Sequence, residues 1–241
     1  MKLGIYTAIW GRPRLTKLVL DYYNRIDTVY TMSVVYSKED PDPTHLPSVD
    51  WSDDMDLWSV VHPNSPLSDK WLRGMQECRD SGMDAVLIVG SDDLITPKYV
   101  EACRYLIENG ADYVYLPGCY FYNALDGRMI WGQAERLGLG RCLSRRLLER
   151  LDWEPWPEGL PYGLDGAMWE RVQALDDVSI VCLDEARKMG YVGLDIKTGS
   201  NLWDFDHIRD NIICFDTPAE SVLREHFPSV ADELLNWNGD D

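Results

Sequence analysis

The hydrophobic positions of this chain form short apolar runs that alternate with stretches of helical spacing. Residues 85–89 are apolar at every position, which is the pattern of a strand buried on both faces. Residues 3–9 form a similar first strand, and residues 15–23 then repeat their apolar positions along one helical face. Further strands are predicted at 27–36, 57–61, 112–116, 179–183 and 191–196, and further helices at 68–81, 98–109, 145–151 and from 164 onward.

Strands that alternate with helices at this spacing predict an α/β fold, in which a mostly parallel central sheet carries helices on both faces. Three segments depart from this alternation of strands and helices. They are a hairpin signalled by the Asp-Gly pair at 126–127, a flexible turn at 138–144, and a Trp/Pro-rich loop at 152–161. A polar, aromatic loop is predicted at 196–207, and an acidic helical tail follows it. No repeat or linker divides the sequence, so we predict one domain over residues 1–241.

The stretch at 84–97 places two acidic residues at the end of the buried strand. After the apolar run the chain reads Gly-Ser and then Asp92 and Asp93, and Thr96-Pro97 begins the next helix. Open α/β sheets bind ligands at this edge. Adjacent carboxylates repel each other unless a cation lies beside them, and their hard oxygens suit Mg²⁺ or Mn²⁺. A solvated acidic turn is the alternative interpretation.

Charge and cysteine usage narrow the class of protein. The 241 residues carry a formal net charge of −18, which disfavours a protein that binds the backbone of a nucleic-acid duplex. The dense basic patch at Arg141, Arg145, Arg146 and Arg150 is where a nucleic-acid acceptor would have to bind. The six cysteines occur singly and without metal-binding spacing, which predicts reduced thiols and a cytoplasmic protein. No apolar run approaches the roughly 18 residues of a membrane span.

The loop after the first strand has no glycine-rich phosphate motif. Neither G-x-G-x-x-G nor a Walker sequence occurs in the chain. Their absence counts against dinucleotide-binding and P-loop proteins. It also counts against sugar nucleotidyltransferases, in which a glycine-rich loop is expected at this place.

The order of these features resembles a GT-A glycosyltransferase of the family 2 type. The specific match is the D-x-D-like element Gly90-Ser91-Asp92-Asp93, with weaker matches at 140–146 and Leu164-Asp165. The resemblance extends over residues 2–207 and implies a Rossmann-like GT-A domain. It further implies a nucleotide-sugar-binding half at 1–110, an acceptor and catalytic half at 111–207, and a C-terminal helical tail at 208–241.

The resemblance implies a donor site built around the acidic motif. In that family the motif holds a divalent metal, Mn²⁺ or Mg²⁺, on the diphosphate of the nucleotide-sugar. Carried over to this chain, Asp93 is the direct metal ligand, and Asp92 faces the ribose or sugar beside Ser91. The implied nucleotide contacts are Thr7, Ala8, Trp10 and Arg12 after the first strand, and His62, Asn64 and Lys70 after the third. For Arg12 and Lys70 the alternative interpretation is that they are ordinary charged residues of the surface.

The resemblance also implies a catalytic base, Asp165. Family 2 members generally carry Glu-Asp here, whereas this chain has Leu164 before the aspartate. An inverting transfer needs one carboxylate to take the proton of the acceptor hydroxyl. The alternative role of Asp165 is to favour the dipole of its helix. By resemblance His207 is a further metal ligand, Lys197 contacts the diphosphate, and Trp203 covers the sugar as a lid closes.

These inferences predict an enzyme, a metal-dependent glycosyltransferase (hexosyl- or pentosyltransferase). It moves a sugar from a nucleoside-diphosphate sugar to an acceptor hydroxyl, with inversion at the anomeric carbon. One alternative is a catalytically silent nucleotide- or sugar-binding module of the same fold, and another is a nucleotidyltransferase. The residues name no acceptor. A hydroxymethylated base in phage DNA is a minority interpretation because of the strongly acidic charge.

Overall fold

The chain forms two β-sheets flanked by helices. The structure is a computed structural model, and it describes residues 1–27, 29, 31–40, 51, 53, 55–133 and 137–238. The strands are β1 (Leu3–Ala8), β2 (Thr31–Tyr36), β3 (Asp56–Val61), β4 (Ala85–Ile88), β5 (Asp93–Ile95), β6 (Tyr113–Tyr115), β7 (Gly118–Asn123), β8 (Met129–Gln133), β9 (Arg141–Ser144), β10 (Ile180–Cys182), β11 (Gly193–Lys197) and β12 (Ile213–Asp216). The helices are α1 (Pro13–Asn24), α2 (Leu67–Asp80), α3 (Pro97–Glu108), α4 (Arg145–Arg150), α5 (Leu164–Gln173), α6 (Ala186–Met189), α7 (Phe205–Asn211), α8 (Ala219–His226) and α9 (Ala231–Leu235). Residues 28 and 30 of the predicted second strand lie outside the described residues.

The larger sheet contains seven strands in the order β10-β6-β9-β4-β1-β2-β3. β1 pairs in parallel with β2 and β4, β2 with β3, and β6 with β10, so the predicted mostly parallel sheet is confirmed. The exception is β9, which lies antiparallel between β4 and β6. Strand β4 is therefore held on both sides, and the acidic turn that leaves its carboxyl end starts from a fixed support.

Successive side chains of the central strands enter two different hydrophobic clusters. Ile5 and Leu87 pack on the side that holds α1 and α3, whereas Tyr6 and Val86 pack on the side formed by α2, α4 and α5. Side chains alternate across a strand, so strands that are apolar at every position must be covered on both faces. The predicted helices on both faces of the sheet are thereby confirmed.

The smaller sheet, in the order β12-β8-β7-β11-β5, adjoins the larger one at the acidic motif. A short turn at 89–92 separates β4 of the larger sheet from β5 of the smaller one. Strand β5 pairs antiparallel with β11, which places Asp195 opposite Asp93. Helix α1 fixes β5 from the side, because the hydroxyls of Tyr22 and Tyr23 donate to the carbonyls of Ile95 (2.8 Å) and Asp93 (3.0 Å).

The segment predicted as a flexible turn at 138–144 is largely the buried strand β9, so that prediction is wrong. Cys142 and Leu143 enter opposite hydrophobic clusters, and the backbone pairs with a strand on each side. Only the residues before Arg141 form a turn, in which Gly140 has φ 75°. The glycines dominated the local signal, whereas pairing with two strands distant in sequence decided the structure.

The start of α2, the end of the predicted loop at 196–207 and the C-terminal segment differ from the sequence prediction. Helix α2 begins at Leu67, one residue before its predicted start, and the hydroxyl of Ser68 accepts a hydrogen bond from the Leu160 amide of the Trp/Pro-rich loop. The loop predicted at 196–207 ends early because α7 begins at Phe205. The segment predicted as a helical tail from 208 also contains β12, which pairs with β8. This C-terminal segment therefore contributes a strand to the smaller sheet as well as helices.

One buried carboxylate ties the ends of three elements of the larger sheet together. Asp112 lies just before β6 and accepts hydrogen bonds from Arg146 Nε (2.7 Å), the Ser144 hydroxyl (3.0 Å) and the Ser179 amide (3.0 Å). Burial acts to raise the pKa of Asp112, but the donors, led by Arg146, outweigh it and hold the pKa below its ordinary value. The carboxylate is therefore ionised in the folded chain at neutral pH.

Asp112→Asn should lower the free energy of unfolding at pH 7 by about 1–2 kcal/mol, because the charge-assisted hydrogen bonds are lost. The folded-state pKa is the lower one. The stabilisation is therefore complete above the unfolded value of about 3.9 and disappears as the pH falls through the folded value. Urea unfolding at pH 7 and at about pH 3 measures this difference. Glu220→Gln, which breaks an exposed ion pair with Arg224, should change stability by less than about 0.5 kcal/mol.

Candidate active site

The turn at Gly90–Asp93 folds both acidic side chains back against its own backbone. The Gly90 amide donates to Asp93 Oδ2 (2.6 Å), and the Asp93 amide donates to the Gly90 carbonyl (3.2 Å). A Cβ at Gly90 would lie 2.8 Å from both Asp92 Oδ1 and Asp93 Oδ2. Glycine is therefore required here because the carboxylates approach the backbone too closely for a side chain.

Asp92 is the ionised member of the acidic pair. Arg12 Nη1 donates to Asp92 Oδ2 (2.9 Å), Asn201 Nδ2 donates to the same oxygen (2.6 Å), and Arg12 Nη2 donates to Ser91 Oγ (2.8 Å). Burial acts to raise the pKa of Asp92, but the charges of Arg12 and Lys197 outweigh it and lower the pKa. Arg12 has φ 51° at the N-terminus of α1, an uncommon conformation for a residue other than glycine. The local fold thus turns this guanidinium onto the acidic motif.

Asp93 is buried and Asp195 is largely buried, and the two carboxylates face each other across the β5–β11 pair. Burial and the nearby charges of Asp195 and Asp92 raise the pKa of Asp93 well above its ordinary value. Burial also raises the pKa of Asp195 to about 6, against the opposing effect of Lys197. Lys197 Nζ lies 2.8 Å from Asp195 Oδ1, and both side chains are largely buried. The site therefore holds more carboxylates than fixed cations.

A single cavity of about 360 Å³ connects this cluster to the predicted base. It lies against the turn after β4, strands β7 and β11, the Trp/Pro-rich loop and the start of α5. Residues that are far apart in the sequence thus share one solvent-accessible space. The predicted residues that line it are Asp92, Asp93, Asp165, Lys197 and Trp203.

Asp165 lies in the first turn of α5, where the backbone of Gly163 (φ 78°) begins the helix. Its side chain is about half exposed, and it lines the cavity. Although solvent in the cavity reaches about half of the side chain, desolvation by the cavity walls raises the pKa of Asp165. The charge of Arg141, whose Nη1 lies 3.7 Å from Asp165 Oδ1, opposes this shift. Arg141 is itself buried and also donates to the Asp165 carbonyl (2.9 Å). The preceding Leu164 packs into the hydrophobic core.

The other predicted nucleotide contacts form a separate group at the ends of β1 and β3. Lys70 Nζ donates to the Ile9 carbonyl (2.6 Å) and to Asn64 Oδ1 (3.0 Å), and lies 5.6 Å from the Trp10 ring centre. Burial lowers the pKa of Lys70 to about 8, against the opposing charges of Asp40 and Glu39. This group does not line the cavity, and Arg12 links it to the acidic motif. Its other predicted members are Thr7, which is fully buried, Ala8, which is half-buried, and His62, which is exposed in part.

His207 is not in a loop but in the first turn of α7. Its amide donates to Asp204 Oδ1 (2.7 Å), and its ring stacks on Trp203 at 4.4 Å. It does not line the cavity. Its role as a metal ligand stays a prediction. In the structure its ring contacts Trp203, the residue predicted to cover the sugar.

The donor chemistry of the cluster suits a small divalent cation held by two carboxylates. In the described part of the chain, no group of three or more His, Cys, Asp or Glu side chains is arranged to hold a metal. Mg²⁺ sites, however, often use one or two protein carboxylates together with substrate phosphates and water. Asp93 and Asp195 provide two such groups. Asp195 Oδ1 is buried, and the charged group that contacts it among the described residues is Lys197 Nζ, at 2.8 Å.

Asp195 and Asn201 are site residues that the sequence patterns above did not predict. The signal for Asp195 was available: residues 194–197 read Leu-Asp-Ile-Lys, so an acid and a base share one face of a strand whose other face is apolar. For Asn201 no local signal exists, because its role depends on the loop that returns it to Asp92. The Thr198 amide holds that loop by donating to Asn201 Oδ1 (2.8 Å).

The basic patch has internal partners rather than an open basic face. Arg145 donates to the Met83 carbonyl (3.0 Å), Arg146 binds Asp112, and Arg150 donates to the Asp176 carbonyl. Arg141, the fourth member, is buried beside Asp165. The patch thus stabilises the fold around β9 and α4.

Comparison with known proteins identifies the architecture. The chain superposes on S. aureus TarS residues 1–349 in complex with UDP-GlcNAc with a TM-score of 0.60 and 14% identity, covering 99% of this chain and 71% of that one. The same protein in complex with UDP gives a TM-score of 0.60 at 13% identity, covering 99% and 70%. Glucosyl-3-phosphoglycerate synthase from Mycobacterium tuberculosis, in complex with Mg²⁺ and UDP, gives 0.50 at 15% identity, covering 75% and 68%. The chain has the GT-A fold.

The GT-A fold implied by the sequence resemblance is therefore confirmed by the structural comparison. No protein-family model matches the sequence, and no curated protein matches it either. None of the helices in the described ranges is long and apolar enough to cross a membrane. Because one fold supports many reactions, the function must be argued from the cavity.

Proposed function

We propose that this GT-A protein transfers a sugar from a nucleoside-diphosphate sugar to an acceptor hydroxyl, with metal assistance and inversion at the anomeric carbon. The observation that carries the proposal is the cavity that joins the Asp93–Asp195 cluster to Asp165. Such a transfer needs positive charge at the leaving diphosphate and a base at the acceptor, within one enclosed site. Complexes of the structurally similar proteins with UDP, UDP-GlcNAc and Mg²⁺ support this proposal.

On the acceptor side, Asp165 takes the proton of the attacking hydroxyl. The raised pKa of its carboxyl makes it a better proton acceptor than an ordinary aspartate, while the charge of Arg141 opposes that shift and the contact with Arg141 holds the side chain in position. Arg141 is buried and bonded to the Leu137 carbonyl (2.7 Å) as well as to the Asp165 carbonyl, so it positions the base without moving.

On the donor side, Asp93 and Asp195 would hold the metal, which supplies positive charge to the leaving diphosphate when bound. Lys197 adds a second positive charge beside these carboxylates. Asp92 is fixed by Arg12 and Asn201, and in this proposal it faces the ribose or sugar. The group formed by Trp10, Asn64 and Lys70 contacts the nucleobase of the donor, and Trp203 covers its sugar.

The proposal divides the chain by role. Residues 1–110 bind the nucleotide-sugar, residues 111–207 supply the acceptor side and the base, and residues 208–241 form the C-terminal segment. Asp195 and Lys197 lie in the second of these parts but contact the donor cluster. The two functional halves therefore share the donor site.

Asp93→Ala should weaken metal-dependent nucleotide binding by about 10- to 100-fold or more, because one of two carboxylate ligands is lost. Calorimetric titration of UDP, GDP, CDP, dTDP and their common sugars, with and without Mn²⁺, measures this on the native protein and the variant. The matched control is Asp80→Ala, which removes an exposed carboxylate at the end of α2 and should bind like the native protein. If the native protein binds none of these nucleotides, with or without metal, the proposed function is wrong.

A further inference from the structure

A second cavity lies on the opposite face of the smaller sheet from the candidate active site. Its volume is about 640 Å³, within the roughly 300–1,000 Å³ of ordinary ligand sites. Side chains alternate across a strand, so Cys119 and Phe121 of β7 line the active-site cavity, whereas Tyr120 lines this one. Among the described residues, none lines both cavities. We call this space the outer cavity; β7, β8 and β12 form its floor, and residues 184–188 and helix α8 form its walls.

Three aromatic side chains cross the floor of the outer cavity in one row. Tyr120 of β7 lies opposite Trp131 of β8, and Trp131 lies opposite Phe215 of β12. Directly opposed residues of neighbouring strands place their side chains on the same face of a sheet. Tyr120 and Trp131 are buried with their ring centres 4.9 Å apart, whereas Phe215 is 59% exposed. The row therefore ends in an apolar ring that a ligand can contact.

The guanidinium of Arg187 lies over the buried part of this row. Its Nε donates to the Tyr120 hydroxyl (2.9 Å), and its Cζ lies 5.6 Å from the Tyr120 ring centre and 5.4 Å from that of Trp131. The side chain is exposed, and none of the described residues forms a hydrogen bond or an ion pair with its two Nη groups. Because the aromatic contacts hold the guanidinium in place, these donors are preorganised for a ligand.

The walls add hydrogen-bond acceptors to these donors. Asp184 and Glu225 contribute carboxylates from two different walls, and Gln133 and Ser221 contribute an amide and a hydroxyl. Polar groups of both kinds thus surround the exposed ring at the end of the row. A ligand that is apolar on one face and carries hydroxyls around its rim can use all of them.

The charges of the outer cavity disfavour an ionic ligand. Lys188 and Glu185 pair with each other (2.7 Å). Of the remaining charged groups, Asp184 and Glu225 would repel an anion, and Arg187 would repel a cation. A flat aromatic base is disfavoured for another reason. Among the described lining residues no second exposed Phe, Tyr or Trp ring is present to enclose such a base against the ring of the floor.

We infer that the outer cavity is a second binding site, and that it takes an uncharged saccharide. The apolar face of one sugar ring packs on Phe215, and neighbouring hydroxyls accept hydrogen bonds from the Nη groups of Arg187. The hydroxyls on the rim of the sugar donate to the carboxylates of Asp184 and Glu225. The site binds without catalysing a step. The inference goes beyond the proposed function and does not depend on it, because the two cavities lie on different faces of the sheet.

NMR titration of the ¹⁵N-labelled full chain tests the inference directly. The probes are maltose, cellobiose and N,N′-diacetylchitobiose as uncharged saccharides, inorganic phosphate as an anion, choline as a cation and adenosine as a flat base. The backbone amide signals of Arg187, Phe215 and Ser221 report on the outer cavity. We expect at least one saccharide to shift all three at millimolar concentration. The inference is wrong if no saccharide shifts them, or if phosphate, choline or adenosine shifts them at a lower concentration than every saccharide.

Three variants assign the binding to the outer cavity. Phe215→Thr keeps a residue suited to a strand but removes the ring, and should weaken saccharide binding by roughly two- to tenfold. Its matched control is Ile213→Thr, which changes an exposed residue (69%) on the same face of β12 that does not line the cavity and should bind with native affinity. Arg187→Met removes the Nη donors and should weaken binding by roughly tenfold or more.

Native saccharide affinity in both Phe215→Thr and Arg187→Met would overturn the inference. The nucleotide titration of the native protein and Asp93→Ala is a separate measurement on the other face of the sheet. Failure of the saccharide site therefore leaves the proposed function standing, and failure of nucleotide binding leaves the saccharide site standing.

Discussion

Asp165→Asn should lower kcat for sugar transfer by roughly 10²- to 10⁴-fold, because asparagine cannot take the proton of the acceptor hydroxyl. The change keeps the size of the side chain and the contact of its backbone carbonyl with Arg141. Steady-state kinetics with the nucleotide-sugar selected by calorimetry measure the effect. The titration should give a nucleotide affinity close to the native one, because the donor cluster is built from β4, β5 and β11 rather than from α5.

The control for this prediction is Asp177→Asn. It makes the same chemical change at an exposed residue after α5, where the left-handed backbone (φ 53°) suits asparagine. Transfer by this variant should match the native rate. If the native protein binds a nucleotide but shows no turnover, and Asp165→Asn behaves in the same way, the protein is a silent binding module. The catalytic proposal would then be wrong.

The same carboxylate sets the acidic limb of the pH–rate profile. Burial raises the pKa of Asp165, against the charge of Arg141. The base form is lost as the pH falls through this raised value, so kcat/KM should begin to decline above the ordinary aspartate value of about 3.9. An acidic limb at or below that value would assign the proton transfer to another group.

Lys197→Met should lower the free energy of unfolding by about 3–5 kcal/mol. The change removes the ammonium group that pairs with the largely buried Asp195, which then lies beside Asp92 and Asp93 without a compensating charge from this lysine. Methionine is similar in length to lysine, so packing changes little. Denaturant unfolding at pH 7 in a chelating buffer measures the loss. Addition of millimolar Mg²⁺ should stabilise the variant more than the native protein, because a metal ion then replaces the missing ammonium group.

Two controls separate charge from packing. Lys188→Met makes the same substitution at an exposed ion pair with Glu185 and should change stability by less than about 0.5 kcal/mol. The double change Lys197→Met with Asp195→Asn should recover more than half of the loss, since it removes the uncompensated carboxylate. Equal stability of Lys197→Met and the native protein would show that the lysine does not compensate this cluster.

Local sequence patterns were sufficient for most of the central sheet and for the first half of the site. Residues 85–89 are apolar at every position, and a strand of that kind must lie between two helical layers. The Gly-Ser-Asp-Asp sequence after it marks a turn at the ligand-binding edge. These predictions succeeded because each depends on neighbours within a few residues, where side-chain periodicity and turn chemistry act directly.

Tertiary structure decided the rest. Strand β9 forms at 141–144 because β4 and β6 offer it hydrogen bonds on both sides, although its own glycine-flanked sequence predicts a turn. Asp195 faces Asp93 through the register of an antiparallel pair, and the Trp/Pro-rich loop lines the active-site cavity because it docks on Ser68. The amino-acid sequence by itself determined the α/β pattern, the acidic turn and the position of Asp165 on a helix. Only the folded chain decided which distant groups meet, because strand register and loop docking depend on contacts between residues far apart in the chain, which local periodicity does not encode.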